Sequence, residues 1–142
     1  MADAFALDPA FEATSEPLGS LALSEARLQN DARYPWIVLI PRSPGAREIE
    51  DLHPLNRARL MDEIVLAGEA VRAVGEALGL PVEKLNVGAL GNVTPQLHLH
   101  VVGRRVGDPA WPGPVWGQGA AAPFSADQLS AAISAAKSAF HL

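Results

Sequence analysis

Gln96-Leu97-His98-Leu99-His100-Val101-Val102 is the stretch on which the reading of this chain turns. Apolar and polar side chains alternate along it, which is the pattern of a strand with one buried face, because neighbouring residues on a strand point to opposite sides. Leu97, Leu99 and Val101 then face a core. Gln96, His98 and His100 form a row on the other side, spaced about 6.5–7 Å apart by the strand rise. Two of the four histidines in the chain share that face. An imidazole near neutral pH can attack, carry a proton or ligate a metal, so the row is the first candidate for chemistry.

Working outward, residues 84–90 read as the preceding strand, residues 97–104 as the strand itself, and Gly91-Asn92-Val93-Thr94-Pro95 as their connection. Upstream, Leu60, Ile64, Ala67, Val71, Val74 and Leu78 recur at steps of three and four, the mark of one helical face. Pro54 suits the first turn of that helix and Gly79 the position just past its end. Arg57, Arg59, Asp62, Glu63, Glu69, Arg72 and Glu76 fall on other faces. The apolar stripe is wide enough to cover a sheet only with help from Met61 and Val65.

Trp36-Ile37-Val38-Leu39-Ile40, closed by Pro41, is a continuous apolar run that predicts a buried strand. Asn30-Asp31-Ala32-Arg33 before it reads as a polar turn. Leu21, Leu23, Arg27 and Gln29 alternate with other residues as two short strands around Ser24-Glu25. Phe5, Leu7 and Phe11 are anchors for a short helix or a packed arm. After a Gly-, Pro- and Ala-rich loop over residues 106–123, Ser125 opens a final helix with Gln128 as the matching half of a capping box. Strands, helix, strands, helix predicts an α+β domain with an antiparallel sheet of about five strands. A single domain over residues 1–142 is expected, its core at about 18–116 and a tail with a helix at 117–142.

Composition narrows the function. At 142 residues, 49% hydrophobic and 19% charged, the chain has the make-up of a globular protein that needs no disulfide or metal to fold. Its net charge of −5, without a basic stripe, argues against coating a nucleic acid. Cysteine is absent, which excludes thiol catalysis and zinc-finger sites. No run approaches the roughly 18 apolar residues of a membrane span, and the first twenty residues lack the basic start of a secretory signal. A cytoplasmic location is the expectation.

From the residues alone, three readings of the His98/His100 face stay open. It is an outer strand face that happens to carry histidines, or half of a metal site, or a site for phosphate chemistry. A metal needs a third ligand, for which only His53, His141 and scattered carboxylates are at hand. Phosphate finds Asn86, Gly88, Gly91 and Asn92 just upstream, with amides and backbone N–H groups, and Arg104 and Arg105 just downstream. Trp111 and Trp116 are candidates to stack on a base, or packing anchors. Arg42 and Arg47 near the Pro41 strand end are candidate phosphate contacts or solvated surface. His53 reads as a surface residue at a helix start.

Asn86-x-Gly88-x-x-Gly91-Asn92, Gln96-x-His98-x-His100 and Trp111-Pro112, together with Trp36 to Pro41 and the long helix, resemble a histidine-triad (HIT) domain over residues 18–116. The resemblance is nearest to bacterial HIT-like, diadenosine-tetraphosphate-hydrolase-like proteins. It implies a hydrolase or transferase acting at the α-phosphate of a nucleotide, dinucleoside polyphosphate or nucleoside phosphoramidate through a nucleotidyl-histidine intermediate. His98 matches the nucleophile, His100 the last triad histidine that binds phosphate and manages protons, and Asn86 a phosphate contact. Asn92 and Thr94 fall in the loop lining the site, Asn30 or Asp31 near a ribose-binding position, and Trp111 in the tail. No cofactor is required, though a divalent cation can accompany the substrate phosphates. A homodimer is implied. Gln96 stands where the family has its first histidine, and Trp36 where other branches place a pocket histidine. An amide donates and accepts hydrogen bonds but carries no proton at neutral pH. The second reading is therefore a non-catalytic nucleotide-binding or sensing protein.

Overall fold

Described over residues 4–142, the computed structural model runs α1 (Pro9–Thr14), β1 (Ser15–Ser20), β2 (Ser24–Gln29), β3 (Trp36–Pro41), a 3-10 turn (Ile49–Asp51), α2 (Pro54–Leu78), β4 (Lys84–Gly88), β5 (Leu99–Arg104) and α3 (Ala126–Phe140). One five-stranded antiparallel sheet, in the order β1-β2-β3-β5-β4, forms the centre, so the expected α+β architecture holds. No helix among the described residues is long and apolar enough to cross a membrane.

Alternation sorts the sheet into two faces. Ile37, Leu39, Leu99 and Val101 join Leu60, Ala67, Val71 and Val74 of α2 and Ala132 and Ala136 of α3 in the main core. Each Val or Leu buried there contributes about 1.5–3 kcal/mol. Trp36, Val38, Ile40 and Val102 point the other way, into a second cluster with Phe11, Tyr34 and Val115. The N-terminal arm (Phe5, Leu7) and the 105–123 loop (Ala110, Trp116) cover that cluster. β3 is buried throughout because both its faces are roofed, which is what its unbroken apolar run requires.

Four expectations need correction. Met61 and Val65 do not widen the helix stripe; they are 60% and 62% exposed. Close contact does the work instead. A Cβ at Gly103 of β5 would lie 2.6 Å from Val82 Cγ2 and 2.9 Å from Val71 Cγ1, so glycine lets α2 settle directly on β5. Glu63, expected on an outer face, is 6% exposed. Its carboxylate accepts from the backbone N–H groups of Leu23 (2.7 Å) and Ser24 (3.0 Å), tying the β1–β2 reversal to the helix. That reversal occupies residues 21–23 rather than Ser24-Glu25, which already belong to β2. Finally, β4 and β5 are shorter than the alternation suggested. Residues 89–98 are loop, so Gln96 and His98 precede the ladder.

Candidate functional site

His100 lies on β5 across from Val38 of β3 and Gly88 of β4, on the face away from α2 and α3. The register also brings Trp36 alongside, and its indole Nε1 donates to His100 Nδ1 at 3.0 Å. An indole N–H can only donate, so Nδ1 is unprotonated and the ring proton sits on Nε2. Burial pushes the His100 imidazole down to about 4, the neighbouring His98 adds to the effect, and a backbone hydrogen bond at Leu90 opposes it.

His98 is fixed the other way round. Its Nδ1 lies 2.7 Å from the Gln96 carbonyl oxygen, which can only accept, so Nδ1 carries the proton and Nε2 keeps its lone pair. The two imidazoles meet edge to face with centroids 4.9 Å apart. Phe11 from α1 packs edge-on against the outer side of His98, also at 4.9 Å. Gly91 leaves the ring room, since a Cβ there would sit 3.5 Å from His98 Cε1 and 3.0 Å from the Thr94 carbonyl oxygen.

Two clefts meet at His98. One, of about 450 Å³, is polar and includes Arg47, Glu48, Asp51, Asn92 and Gln96. The other, of about 250 Å³, is aromatic and includes Gln29, Trp36, Thr94, His100 and Trp116, with Asn92 at the shared border. Trp116 edges onto His100 (5.4 Å) and Trp36 (6.4 Å). Its indole N–H is buried without an acceptor, an unsatisfied donor beside the cleft. The site thus sets a free imidazole nitrogen on His98 beside an imidazole N–H on His100, with a cleft on either hand.

A family model described as the HIT domain matches residues 10–107, more than half of the chain. The chain belongs to the HIT family. Solved structures agree. A histidine triad protein of Bradyrhizobium japonicum is similar at 39% identity over 96% of this chain and 98% of that one, with a TM-score of 0.88. A histidine triad protein of Sinorhizobium meliloti matches at 41% identity over 94% and 96% of the two chains, with a TM-score of 0.84. One of Marinobacter aquaeolei matches at 37% identity over 98% of each, with a TM-score of 0.87. No curated protein matches the chain.

Within this HIT fold the sequence-derived candidates separate. His98, His100, Asn92, Thr94 and Gln96 come together around the clefts. Asn86 lies outside both, its Oδ1 accepting from Arg104 Nη1 at 2.7 Å. Arg104 does not reach toward a phosphate; it is 2% exposed and paired with Asp108. Asn30 faces another hollow, beside Glu16 and Phe124. Asp31 is buried, paired with Arg33 and accepting from Ala122 N. Trp111 packs against the Arg104 guanidinium, 5.7 Å away, while Trp116 is the tail tryptophan that joins Trp36 in the site. Arg42 spends its guanidinium on Glu25 and the Leu21 and Ala22 carbonyls. His53 caps α2, as its place before Pro54 suggested. Among the described residues, no three His, Cys, Asp or Glu side chains gather where they could hold a metal ion.

Two site residues escaped the sequence reading. Gln29 lines the aromatic cleft, and its signal was the alternation with Leu28 that puts it on the Trp36 face. Phe11 touches His98, and only its apolar character was visible.

The His100 geometry carries a pH prediction. An unfolded histidine titrates near 6.5, whereas folded His100 does so at about 4. Between those values the unfolded chain binds the extra proton, so stability rises with pH across the window and is level above it. Acidifying from pH 7 to 4 should withdraw roughly 3 kcal/mol from this group alone. NMR titration should place the His100 midpoint near 4, and Trp36→Phe, which removes the donor opposing protonation, should raise it. A wild-type midpoint near 6.5 would show that burial does not hold the ring neutral.

Proposed function

We propose that this HIT protein binds nucleotides and acts as a hydrolase or transferase at their α-phosphate through a nucleotidyl-His98 intermediate. One observation supports the reading: His98 Nδ1 is tied to the Gln96 carbonyl, which leaves the Nε2 lone pair unused on a residue that lines both clefts.

Attack by Nε2 on the α-phosphorus forms an N–P bond as the P–O bond to the leaving group breaks and its oxygen departs as an anion with the electron pair. The P–N bond of a phosphoramidate breaks in the same way only after its nitrogen takes a proton from solvent. The ring becomes cationic, and the Gln96 carbonyl stabilises it through Nδ1–H. His100 Nε2–H, which the Leu90 backbone engages in the free protein, would donate to a phosphoryl oxygen by exchanging that partner for the phosphate, a role for which a neutral imidazole suffices. Water then attacks phosphorus, the N–P bond breaks and His98 is restored, so that one difficult displacement is split in two. The aromatic cleft, with Gln29, Trp36 and the unsatisfied Trp116 donor, suits a nucleoside. The polar cleft, with Arg47 and Asn92, suits the leaving group. With an amide at position 96 and His100 neutral, leaving groups that depart as anions are favoured, as in a dinucleoside polyphosphate. No resident cofactor is invoked; a divalent cation enters only as counter-ion of the substrate phosphates.

The same lack of a proton donor favours the second reading, a nucleotide-binding protein without turnover. Intact-mass measurement after rapid alkaline quenching with diadenosine tetraphosphate decides between them. A mononucleotide adduct mapping to the His98 peptide is expected; acid must be avoided because histidine N–P bonds are acid-labile. Nucleotide binding by calorimetry with neither adduct nor product would favour the binding protein. The reading also implies a two-fold homodimer, for which the open β4 edge and the exposed Val65 and Val87 offer surface. Sedimentation showing only single chains at micromolar concentration would remove it.

A further inference from the structure

Both ends of the Gln96 carboxamide are engaged, and neither by the site. Oε1 accepts from the Asp8 backbone N–H at 2.9 Å, and Nε2 donates to the Ala6 carbonyl at 2.8 Å. One side chain thus grips two backbone groups of the N-terminal arm, much as a neighbouring strand would. Beyond the grip, the Asp8 side chain caps α1 by accepting from Ala10 N, and Pro9 occupies the first helical position. The turn that follows delivers Phe11, 6% exposed, edge-on to His98. The far end of α1 is pinned as well: Ser15 Oγ donates to the Phe11 carbonyl, and Arg27 donates to Ser15 Oγ and O. His98 is therefore held by the Gln96 carbonyl at Nδ1, by Phe11 on one side, by His100 on another, and by the bare Cα of Gly91.

We propose that Gln96 is a positioning residue whose carboxamide clamps the arm over residues 5–11, so that Phe11 fixes the His98 ring with Nε2 aimed at the clefts. An amide suits this task because it joins one donor and one acceptor in a group that does not titrate. A carboxylate would set a second acceptor against the Ala6 carbonyl. An imidazole would lose its acceptor on protonation. The position that holds the family's first histidine thus serves the nucleophile indirectly, through a segment nearly ninety residues away (separations of 88 and 90). The kinetic part rests on the proposed role of His98; the clamp itself does not.

The test uses the full chain with Gln96→Leu, Phe11→Leu, and the pair Asp8→Ala and Asp8→Pro. Asp8 has φ −61°, which proline adopts without strain. Asp8→Pro removes the clamped N–H as well as the helix cap, and Asp8→Ala removes the cap alone. Three quantities are read: hydrogen exchange of the Asp8 amide, the NMR shifts of the His98 ring protons, and kcat and KM on diadenosine tetraphosphate. Gln96→Leu should speed Asp8 exchange about tenfold or more, with β3 amides unchanged as the control on folding. The His98 ring protons should lose the Phe11 ring-current shift in Gln96→Leu, Phe11→Leu and Asp8→Pro, but not in Asp8→Ala. kcat should fall about 10- to 100-fold, the scale of a misplaced reacting group, with KM within about twofold, and Gln96→Leu/Phe11→Leu should be no worse than the worse single variant. Unmoved His98 signals in Gln96→Leu and Asp8→Pro would overturn the proposal, as would moved signals with unchanged kcat. If the wild type turns over nothing, the reading of His98 as nucleophile fails, and the ring signals and Asp8 exchange still decide the clamp.

Discussion

Replacing Asp108 by alanine should remove about 3–5 kcal/mol of stability, the usual penalty for stranding one partner of a buried ion pair. Asp108 and Arg104 side chains are 0% and 1% exposed, and the carboxylate accepts from Arg104 Nε at 2.8 Å and Nη2 at 3.0 Å. It also accepts from the backbone N–H groups of Arg105, Ala110 and Trp111. Alanine leaves the buried guanidinium with Asn86 Oδ1 as its one remaining acceptor and no counter-charge, and strips the Arg105 and Ala110 N–H groups of theirs, while Trp111 N–H keeps the Asp108 carbonyl. Urea unfolding should show the loss as a lower midpoint at an unchanged slope. Asp108→Asn, which keeps an acceptor but not the charge, should fall between. Arg104→Met/Asp108→Leu should be less destabilised than either single change, because no charge is then left unpaired. Burial works against ionisation of Asp108, but the Arg104 hydrogen bonds and charge and the Arg105 and Ala110 N–H groups outweigh it and hold the carboxyl below its ordinary value. Its contribution is therefore present above the unfolded carboxylate range and lost as pH falls below about 4, under the window in which His100 acts. A double variant as unstable as Asp108→Ala would show that the pair is not the source of the loss.

The same pair marks where the sequence stopped being readable. Arg104 looked like a phosphate contact because it follows the histidine row, yet two positions on from Val102 it points into the second cluster, where Tyr34 and Asp108 enclose it. Local periodicity reports which way a side chain points; it does not report what is waiting there. Glu63 is the same case on α2. Its place off the apolar stripe reads as an outer face, and only the β1–β2 reversal, 39 and 40 residues away in sequence, supplies the N–H groups that bury it. What was readable was short-range. The bounds of α2 follow from Pro54, the three- and four-residue steps and Gly79, and α3 opens with its Ser125–Gln128 capping box as expected.

His98 and His100 were legible for a related reason: Leu97, Leu99 and Val101 leave them one side to face. Their opposite tautomers were not, since one is set by a carbonyl two residues back and the other by an indole on the next strand. Gln96 kept its place in the pattern but lost its expected neighbourhood. The ladder begins only at Leu99, and the loop before it turns the amide toward the arm. Asn30 and Asp31 were sought at a ribose position, but Gln29, one residue earlier and on the Trp36 face, is the residue that reaches the cleft.

His98→Ala should lower turnover of diadenosine tetraphosphate by about 10⁴-fold or more, the scale seen when a covalent nucleophile is deleted, and the mass adduct should vanish with it. Nucleotide affinity should stay within several-fold, because the clefts keep Trp36, Trp116, Asn92 and Arg47. The size of the loss depends on whether the neighbouring imidazole can take over, and the geometry says it cannot. His100 Nδ1 is occupied by the Trp36 indole at 3.0 Å, its Nε2 carries the proton, and burial holds it in that neutral form. The ring has no free lone pair to offer. Imidazole added in solution, small enough for the space His98 vacates, should restore part of the rate, and more so as the fraction of its unprotonated form rises with pH. Release of His100 by Trp36→Phe should not rescue His98→Ala, since His100 would still face the clefts from a different strand position. Residual turnover within about tenfold of wild type would mean that water attacks phosphorus directly. His98 would then serve as a phosphate ligand that donates from a protonated Nε2, with Nδ1–H still held by the Gln96 carbonyl.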